Sequence, residues 1–146
     1  MSGGRARFPA TIHLLFLREG RLLLLRRFNT GYADGQYSVP AGHLDGDETV
    51  AAAGVREARE ELGVDIEQGQ LVFSSVMHRH EGDERVDFFM EAREWRGDPV
   101  NAEPDRCDDL RWFDLSALPG NTVPYMERAI RNHLNGVRFD EFGWQG

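Results

Sequence analysis

The first forty residues contain short apolar runs separated by polar residues that favour turns. Residues 11–18 and 22–27 are each too short for a helix, and the triplet between them contains a glycine, so they predict two strands joined by a tight turn. Residues 28–36 are rich in Asn, Asp and Gly and predict a loop. The segment 37–40 is predicted to be extended, because its final proline disfavours helical backbone in the residue before it.

A helical period begins near residue 50. Asp47 or Thr49 can cap the start of this helix, and Gly63 is placed to end it. The small side chains at 51–54 predict that the helix packs very close to a sheet. Its apolar positions recur at three- and four-residue spacing and would form one inward face, made of Val50, Ala51, Gly54, Val55, Ala58 and Leu62.

The second half of the chain predicts further strands and a second helix. Period-two alternation along 85–95 indicates a strand with one buried face, paired with 71–80 across a glycine-containing turn. Residues 96–109 are polar, contain two prolines and predict a long loop. The remaining predicted elements are a strand at 110–115, a helix at 124–134 with Tyr125, Ala129, Ile130, His133 and Leu134 facing inward, and an extended tail at 137–144.

Strands and helices are interleaved along this chain. The order predicts an α/β fold in which a mixed β-sheet lies between helices, an α/β/α sandwich. A length of 146 residues is enough for one domain with a sizeable core. We therefore expect a single domain over 1–146, with 1–8 as a loose leader.

Charge and cysteine content limit the partners and the compartment. A net charge of −8 argues against a nucleic-acid polymer as partner, because phosphates need a basic surface, but it is compatible with a small phosphorylated substrate bridged by a metal. The single Cys107 cannot form an internal disulfide, so the cytoplasm is the expected location. The longest apolar runs are far too short to span a bilayer, and no membrane partner is expected.

The predicted helix carries three carboxylates on one stripe. Glu57, Glu60 and Glu61 lie three and four positions apart, so they face the same side, where like charges repel. A chain that groups them in this way is expected to bind a compensating cation. Because all the ligands are oxygens, a hard cation, Mg²⁺ or Mn²⁺, is favoured.

The segment around these glutamates resembles the Nudix box. Gly42, Glu48 and the run from Arg56 through Gly63 to Val64 occupy its fixed positions over residues 42–64. The resemblance implies a Nudix hydrolase, which cleaves a diphosphate linkage joined to a nucleoside or similar group. It implies that the main-chain carbonyl of Ala41 joins the three glutamates as a metal ligand.

The other box positions have supporting roles by the same resemblance. Arg56 is expected to orient a carboxylate by a charge-assisted bond, and Glu48 to pair with Arg56 or to fix the loop. Gly42 and Gly63 are expected to meet backbone requirements, a tight loop and a helix stop. Ala41 stands where the family pattern has a glycine, so the expected tight turn must accommodate a Cβ.

Residues outside the box resemble the MutT-type branch, which cleaves nucleoside triphosphates. By this resemblance Arg27 would contact a substrate phosphate, and Glu103 would be a fourth metal ligand or the general base. Asn121 stands where the branch places an Asn that reads the base, and an amide can bond to a purine edge through two hydrogen bonds. His43 has no fixed role in the family and is a candidate substrate contact.

The expected activity is metal-dependent cleavage of a nucleoside triphosphate, normal or oxidised, to a monophosphate and pyrophosphate. Divalent ions would neutralise the phosphates and lower the pKa of a bound water. Either Glu57 or Glu103 would be the base. The alternatives are an ADP-ribose or nucleotide-sugar pyrophosphatase, and a non-catalytic module that binds a nucleotide. The sequence leaves open whether the protein is a monomer or a homodimer.

Overall fold

The computed structural model describes residues 4–145. Residues 1–3 of the predicted leader lie outside this range, and 4–9 have no regular secondary structure. The strands of the described range are β1 (Ala10–Arg18), β2 (Arg21–Arg27), β3 (Tyr37–Ser38), β4 (Ala41–His43), β5 (Leu71–Glu81), β6 (Asp83–Ala92), β7 (Cys107–Asp114) and β8 (Phe139–Phe142), and the α-helices are α1 (Val50–Leu62) and α2 (Pro124–Asn135).

The strands form a mixed sheet with β1 near its centre. The order is β3-β2-β1-β6-β5-β8, with β4 also paired to β1 and β7 also paired to β2. The pairs β1–β6 and β5–β8 are parallel, and the other strand pairs are antiparallel. The prediction of a mixed sheet is therefore confirmed.

The two helices cover opposite faces of this sheet. Along β1, Leu15 and Leu17 pack in the same cluster as the buried face of α2. Their neighbours Leu14 and Phe16 pack in a second cluster with the buried face of α1. Since successive strand residues point to opposite faces, the sheet lies between the helices, and the predicted α/β/α sandwich is confirmed.

Local chemistry sets the ends and the packing distance of α1. Thr49, one of the two predicted caps, accepts a hydrogen bond from the Ala52 N–H at 3.0 Å. Gly63 ends the helix with φ of 68°, a left-handed conformation that favours glycine. A Cβ on Gly54 would lie 3.0 Å from Leu71 Cδ1, so this glycine permits the predicted close approach to the sheet.

Three predictions about faces and bounds are wrong. Both faces of β6 are covered, because Asp87 and Phe89 are fully buried while residues on the other face pack against the α1 cluster. In α2, Leu134 is 52% exposed, because the last turn places Asn132 inward, where its amide donates to Asp140 of β8. The loop before β7 is shorter than expected, since β7 begins at a buried Cys107.

The predicted extended tail adds a strand to the sheet. β8 pairs in parallel with β5, with Val76 opposite Phe139. Trp144 follows β8 and donates its indole N–H to the His78 carbonyl. Over residues 4–145, neither helix combines the length and the apolar character needed to cross a membrane.

Candidate active site

A cavity of about 850 Å³ opens between the C-terminal half of α1 and the sheet. Its walls come from β1, β2 and the loop after it, β4, α1, the 101–106 loop, the β5–β6 hairpin and the start of α2. We call two parts of it the acidic wall, made of Glu57, Glu60, Glu61 and Glu103, and the inner wall, made of Thr11, His13, Arg79 and Tyr125.

The acidic wall contains all three glutamates of the predicted stripe. Glu57 is almost fully buried, whereas the Glu60 side chain is half exposed. The Arg56 guanidinium donates to Glu57 Oε1 at 2.8 Å and lies 3.4 Å from Glu60 Oε1. The Ala41 N–H donates to Glu61 Oε1 at 3.2 Å. Each of these bonds engages one carboxylate oxygen of its glutamate. Within the described residues, no three acidic, His or Cys side chains are already arranged to hold a metal ion.

The electrostatics of the acidic wall fit a divalent cation. Burial raises the pKa of Glu57, against the opposing effect of Arg56. Burial, reinforced by the neighbouring Glu57 and Glu103, raises the pKa of Glu61 well above its usual range. Desolvated carboxylates that repel one another are stabilised as anions by a bound cation. Oxygen-only donors suit Mg²⁺ or Mn²⁺.

Gly42 and Ala41 lie in a strand and not in the predicted tight turn. Both lie in β4, where extended backbone pairs Ala41 with His13 of β1, so the expectation of a tight turn here is wrong. The Cβ of Ala41 is tolerated because the strand does not need left-handed backbone. A Cβ on Gly42 would lie 2.1 Å from Glu57 Cδ, so the glycine makes room for the carboxylate.

Arg56 is held from the loop that precedes α1. Its Nη2 donates to Glu48 Oε1 at 2.8 Å and its Nε to Glu48 Oε2 at 3.2 Å. Glu48 accepts the Asp45 N–H as well, so it makes both contacts that the sequence left open. Arg56 and the Asp45 N–H lower the pKa of Glu48, which keeps it ionised. This geometry fixes the guanidinium against Glu57.

Three further predicted residues line the cavity. Glu103 lies on a loop that is tied to the end of α1, because the Ala102 N–H donates to the Glu61 carbonyl at 3.1 Å. Arg27 also lines the cavity, and its guanidinium donates to the Tyr32 carbonyl and to Thr30 Oγ1. His43 lies in β4 beside the acidic wall and is exposed.

Asn121 is placed elsewhere. It is exposed and is not among the residues that line the cavity. Its Nδ2 donates to the Gly35 carbonyl at 2.9 Å, and its own carbonyl accepts the Tyr37 N–H. These bonds join the Asn121 turn to the loop before β3. The role of base reader stays a prediction, and it would require the amide to leave Gly35.

Sequence reasoning missed the inner wall. Arg79 Nε donates to Asp87 Oδ2 at 2.7 Å, and Asp87 is fully buried behind the wall. Thr11 Oγ1 donates to the other oxygen of the same carboxylate. The one available signal was the opposite charge of Arg79 and Asp87 on the two strands of a predicted hairpin. Nothing local connected Thr11 to them.

Two uncharged groups complete the inner wall. His13 Nε2 and the Tyr125 hydroxyl form a hydrogen bond at 3.0 Å. Burial lowers the pKa of His13 to about 4, so its ring is neutral at pH 7. Burial also raises the pKa of Tyr125, which keeps the phenol protonated. The guanidinium of Arg79 lies over the Tyr125 ring at 3.6 Å, and the His13 ring stacks on Phe89.

The fold and the box carboxylates define a Nudix-type α/β/α protein. The family model described as NUDIX domain matches residues 6–133, and the chain belongs to this family. The predicted membership is thereby confirmed. Nudix hydrolases generally use divalent cations.

Curated relatives include an NAD-capped RNA hydrolase NudC from Chromobacterium violaceum, 32% identical over 86% of this chain. The match spans only 46% of that protein. An RNA pyrophosphohydrolase from Acidiphilium cryptum is also 32% identical, over 86% of this chain and 89% of its own length. Both names include RNA, so the absence of a nucleic-acid partner, inferred from the acidic charge, stays a prediction.

Solved structures agree with the fold. A MutT NUDIX hydrolase from Burkholderia pseudomallei superposes with a TM-score of 0.80 at 28% identity, over 87% of this chain and 98% of that one. A NUDIX hydrolase from Nitrosomonas europaea superposes with a TM-score of 0.76 at 20% identity, over 91% and 93%. The second likeness, at its lower identity, bears on the fold alone.

Proposed function

We propose that the protein is a metal-dependent pyrophosphohydrolase that cleaves a nucleoside triphosphate, normal or oxidised, to a monophosphate and pyrophosphate. The observation that carries this proposal is the meeting of Glu57, Glu60, Glu61 and Glu103 on one wall of a cavity. Wall residues come from the box helix and from a loop remote in sequence. A divalent cation is the partner that makes such a wall stable in its ionised form.

The ligands of the cation would be Glu57, Glu60, Glu61 and the Ala41 carbonyl. When bound, Mg²⁺ or Mn²⁺ supplies charge neutralisation for the phosphates and lowers the pKa of a bound water. Arg56, fixed by two bonds from Glu48, holds the Glu57 carboxylate in position. Gly42 leaves the space in which that carboxylate lies.

The hydrolysis needs one base and a phosphate clamp. A water oxygen forms a new bond to phosphorus, the bridging P–O bond breaks, and pyrophosphate leaves. Either Glu57 or Glu103 would accept the proton of the attacking water, because both carboxylates line the cavity. Arg27 and His43 face the same space and would contact the phosphates.

A second candidate substrate is a diphosphate with a nucleoside on both sides or a sugar on one side. The relative named NAD-capped RNA hydrolase favours this class, since its name includes a dinucleotide. A cavity of about 850 Å³ leaves room beyond a pyrophosphate group. The acidic net charge of −8 disfavours a long RNA chain.

The test is a substrate panel with product identification. Nucleoside triphosphates, oxidised triphosphates, ADP-ribose, a nucleotide sugar, NAD and a 5′-capped oligonucleotide are incubated with protein and Mg²⁺ or with a chelator. The proposal expects Mg²⁺-dependent release of monophosphate and pyrophosphate, fastest with a triphosphate. Faster turnover of ADP-ribose or NAD would assign the second candidate. Tight nucleotide binding without any product would indicate a non-catalytic module.

A further inference from the structure

We propose that Arg106 binds the terminal phosphate of a triphosphate substrate and so favours triphosphates over linked diphosphates such as ADP-ribose. This inference rests on the proposed function, because it concerns the same cavity and the same reaction. Arg106 lies outside the Nudix box, in the loop before β7, and it has none of the roles predicted from the sequence.

The arginines that line the cavity differ in what already holds them. They are Arg27, Arg79, Arg85 and Arg106. The guanidinium groups of Arg79 and Arg85 donate to carboxylates of the β5–β6 hairpin. Arg27 donates to two uncharged oxygens of the loop after β2. Arg106 is exposed at the cavity, and over residues 4–145 its guanidinium has no carboxylate within salt-bridge distance. Its positive charge is therefore available to a ligand.

A short turn places Arg106 beside the acidic wall. The N–H groups of Arg106 and Cys107 both donate to the Glu103 carbonyl, at 2.9 and 3.0 Å. A turn of this kind brings the Cα atoms of residues three apart to within about 7 Å of each other. Asn101 braces the turn, because its Oδ1 accepts the Glu103 N–H and its Nδ2 donates to the Cys107 carbonyl. The backbone of Arg106 is thus fixed next to Glu103.

The same turn joins Arg106 to the strand that carries Arg27. The Phe28 N–H donates to the Arg106 carbonyl at 3.0 Å, and Arg27 lies opposite Cys107 in the β2–β7 pair. Neighbouring strands lie about 5 Å apart. The two arginines are therefore neighbours on one side of Glu103. A phosphate chain that is bound through a cation to the acidic wall would extend toward both of them.

The charge of the substrate decides which phosphate needs Arg106. A terminal phosphate, bonded to one neighbour only, carries about two negative charges at pH 7. A linked diphosphate has no terminal phosphate. Arg79 and Arg85 are already compensated by carboxylates, so they add little positive charge for a substrate. A guanidinium matches phosphate oxygens with two parallel N–H bonds. Arg106 therefore supplies positive charge that a triphosphate needs and a linked diphosphate does not.

The experiment compares the two substrate classes in matched variants. Values of kcat/KM are measured for the preferred nucleoside triphosphate and for ADP-ribose. In Arg106→Ala we expect the triphosphate value to fall about tenfold to thirtyfold, because one charge-assisted contact is lost. The ADP-ribose value should change by less than about threefold, as expected for an exposed charge without a direct contact.

Two further variants separate contact from overall charge. Arg106→Lys keeps the charge but not the planar fork, so it should recover part of the loss. Arg96→Ala is the control, because Arg96 is also an exposed arginine but does not line the cavity. It changes the net charge equally and should leave both substrates unaffected. An unchanged triphosphate value in Arg106→Ala, or equal losses for both substrates, would overturn the proposal.

Binding of inorganic pyrophosphate separates this proposal from the proposed function, because it requires no turnover. Calorimetry in the presence of Mg²⁺ measures the affinity in wild type, Arg106→Ala and Arg96→Ala. We expect Arg106→Ala to bind pyrophosphate at least about tenfold more weakly, with no change in Arg96→Ala. If this holds but no triphosphate is cleaved, the phosphate contact stands and the proposed function falls. Equal pyrophosphate affinity in the three proteins would overturn the assignment of Arg106.

Discussion

The acidic wall and the inner wall face the same cavity but are built in opposite ways. Three of the four acidic side chains come from one helix, within five residues of each other, and like charges are brought together there. The inner wall draws on β1, β5 and α2, and there each charge has a partner. Under the proposed function a cation completes the unbalanced arrangement, whereas the balanced one needs no counterion.

Loss of a carboxylate from the acidic wall should reduce turnover more than any other change proposed below. Glu60→Gln removes a negative oxygen from the acidic wall at a half-exposed position, so the fold should be retained. We expect kcat to fall on the order of 10³-fold, equivalent to about 4 kcal/mol in activation free energy. Glu127→Gln on α2 is the control, since its exposed side chain lies outside the cavity. Full activity in Glu60→Gln would show that Glu60 is not a metal ligand.

The buried His13 of the inner wall should make the stability of the protein depend on pH below neutrality. The pKa of His13 is about 4 in the fold because of burial, below the 6.5 of an exposed histidine. The contribution of neutral His13 to the free energy of unfolding is complete above pH 6.5. It is lost as the pH falls to 4, because between these values only the unfolded chain binds the proton. We expect the free energy of unfolding to drop by roughly 3 kcal/mol more in wild type than in His13→Gln over this range. Urea titrations at each pH measure the difference, and parallel pH curves would contradict it.

A glycine substitution tests the space that the acidic wall needs. Gly42→Ala puts a methyl group 2.1 Å from Glu57 Cδ, so the carboxylate must move. We expect about a 100-fold loss of kcat/KM, or about 2.7 kcal/mol. Gly69→Ala serves as the control because its Cβ would meet no atom within 4 Å. Unchanged activity in Gly42→Ala would show that the position of Glu57 is not critical.

Weaker support of the acidic wall by Arg56 should reduce turnover less than the changes above. Arg56→Lys keeps the positive charge but cannot bind both Glu48 oxygens while donating to Glu57. We expect kcat to fall about tenfold with little change in KM, since the lysine orients Glu57 less well. Steady-state kinetics at saturating Mg²⁺ measure this. A loss confined to KM would instead indicate direct contact of Arg56 with the substrate.

The acidic wall comes mostly from one helix and the inner wall from three separate elements. This difference explains which residues could be predicted from the sequence. Glu57, Glu60 and Glu61 lie within one helical repeat, so their shared face followed from spacing alone. The sandwich and its longer strands followed from apolar runs and their order, whereas β4 was expected to be a turn. Arg79 and Asp87 are eight residues apart across a hairpin whose diagonal contact depends on register. His13 and Tyr125 are 112 residues apart and meet only once the sheet has formed.

Local rules also failed where tertiary packing decided the outcome. Gly42 was predicted to be a turn glycine, but its role depends on a carboxylate from α1 that lies beside β4. The role of Asn121 as a base reader, taken from its position after Pro119 and Gly120, stays a prediction, and its amide donates to the Gly35 carbonyl in another loop. A residue's place along the chain did not reveal which neighbour would compete for its hydrogen bonds.

Titration with Mn²⁺ shows whether the acidic wall binds a divalent cation. Free Mn²⁺ is followed by electron paramagnetic resonance as protein is added, for wild type, Glu61→Gln and the control Glu127→Gln. We predict that wild type and Glu127→Gln bind Mn²⁺ alike and that Glu61→Gln binds it at least tenfold more weakly. Equal Mn²⁺ affinity in all three proteins would contradict the claim.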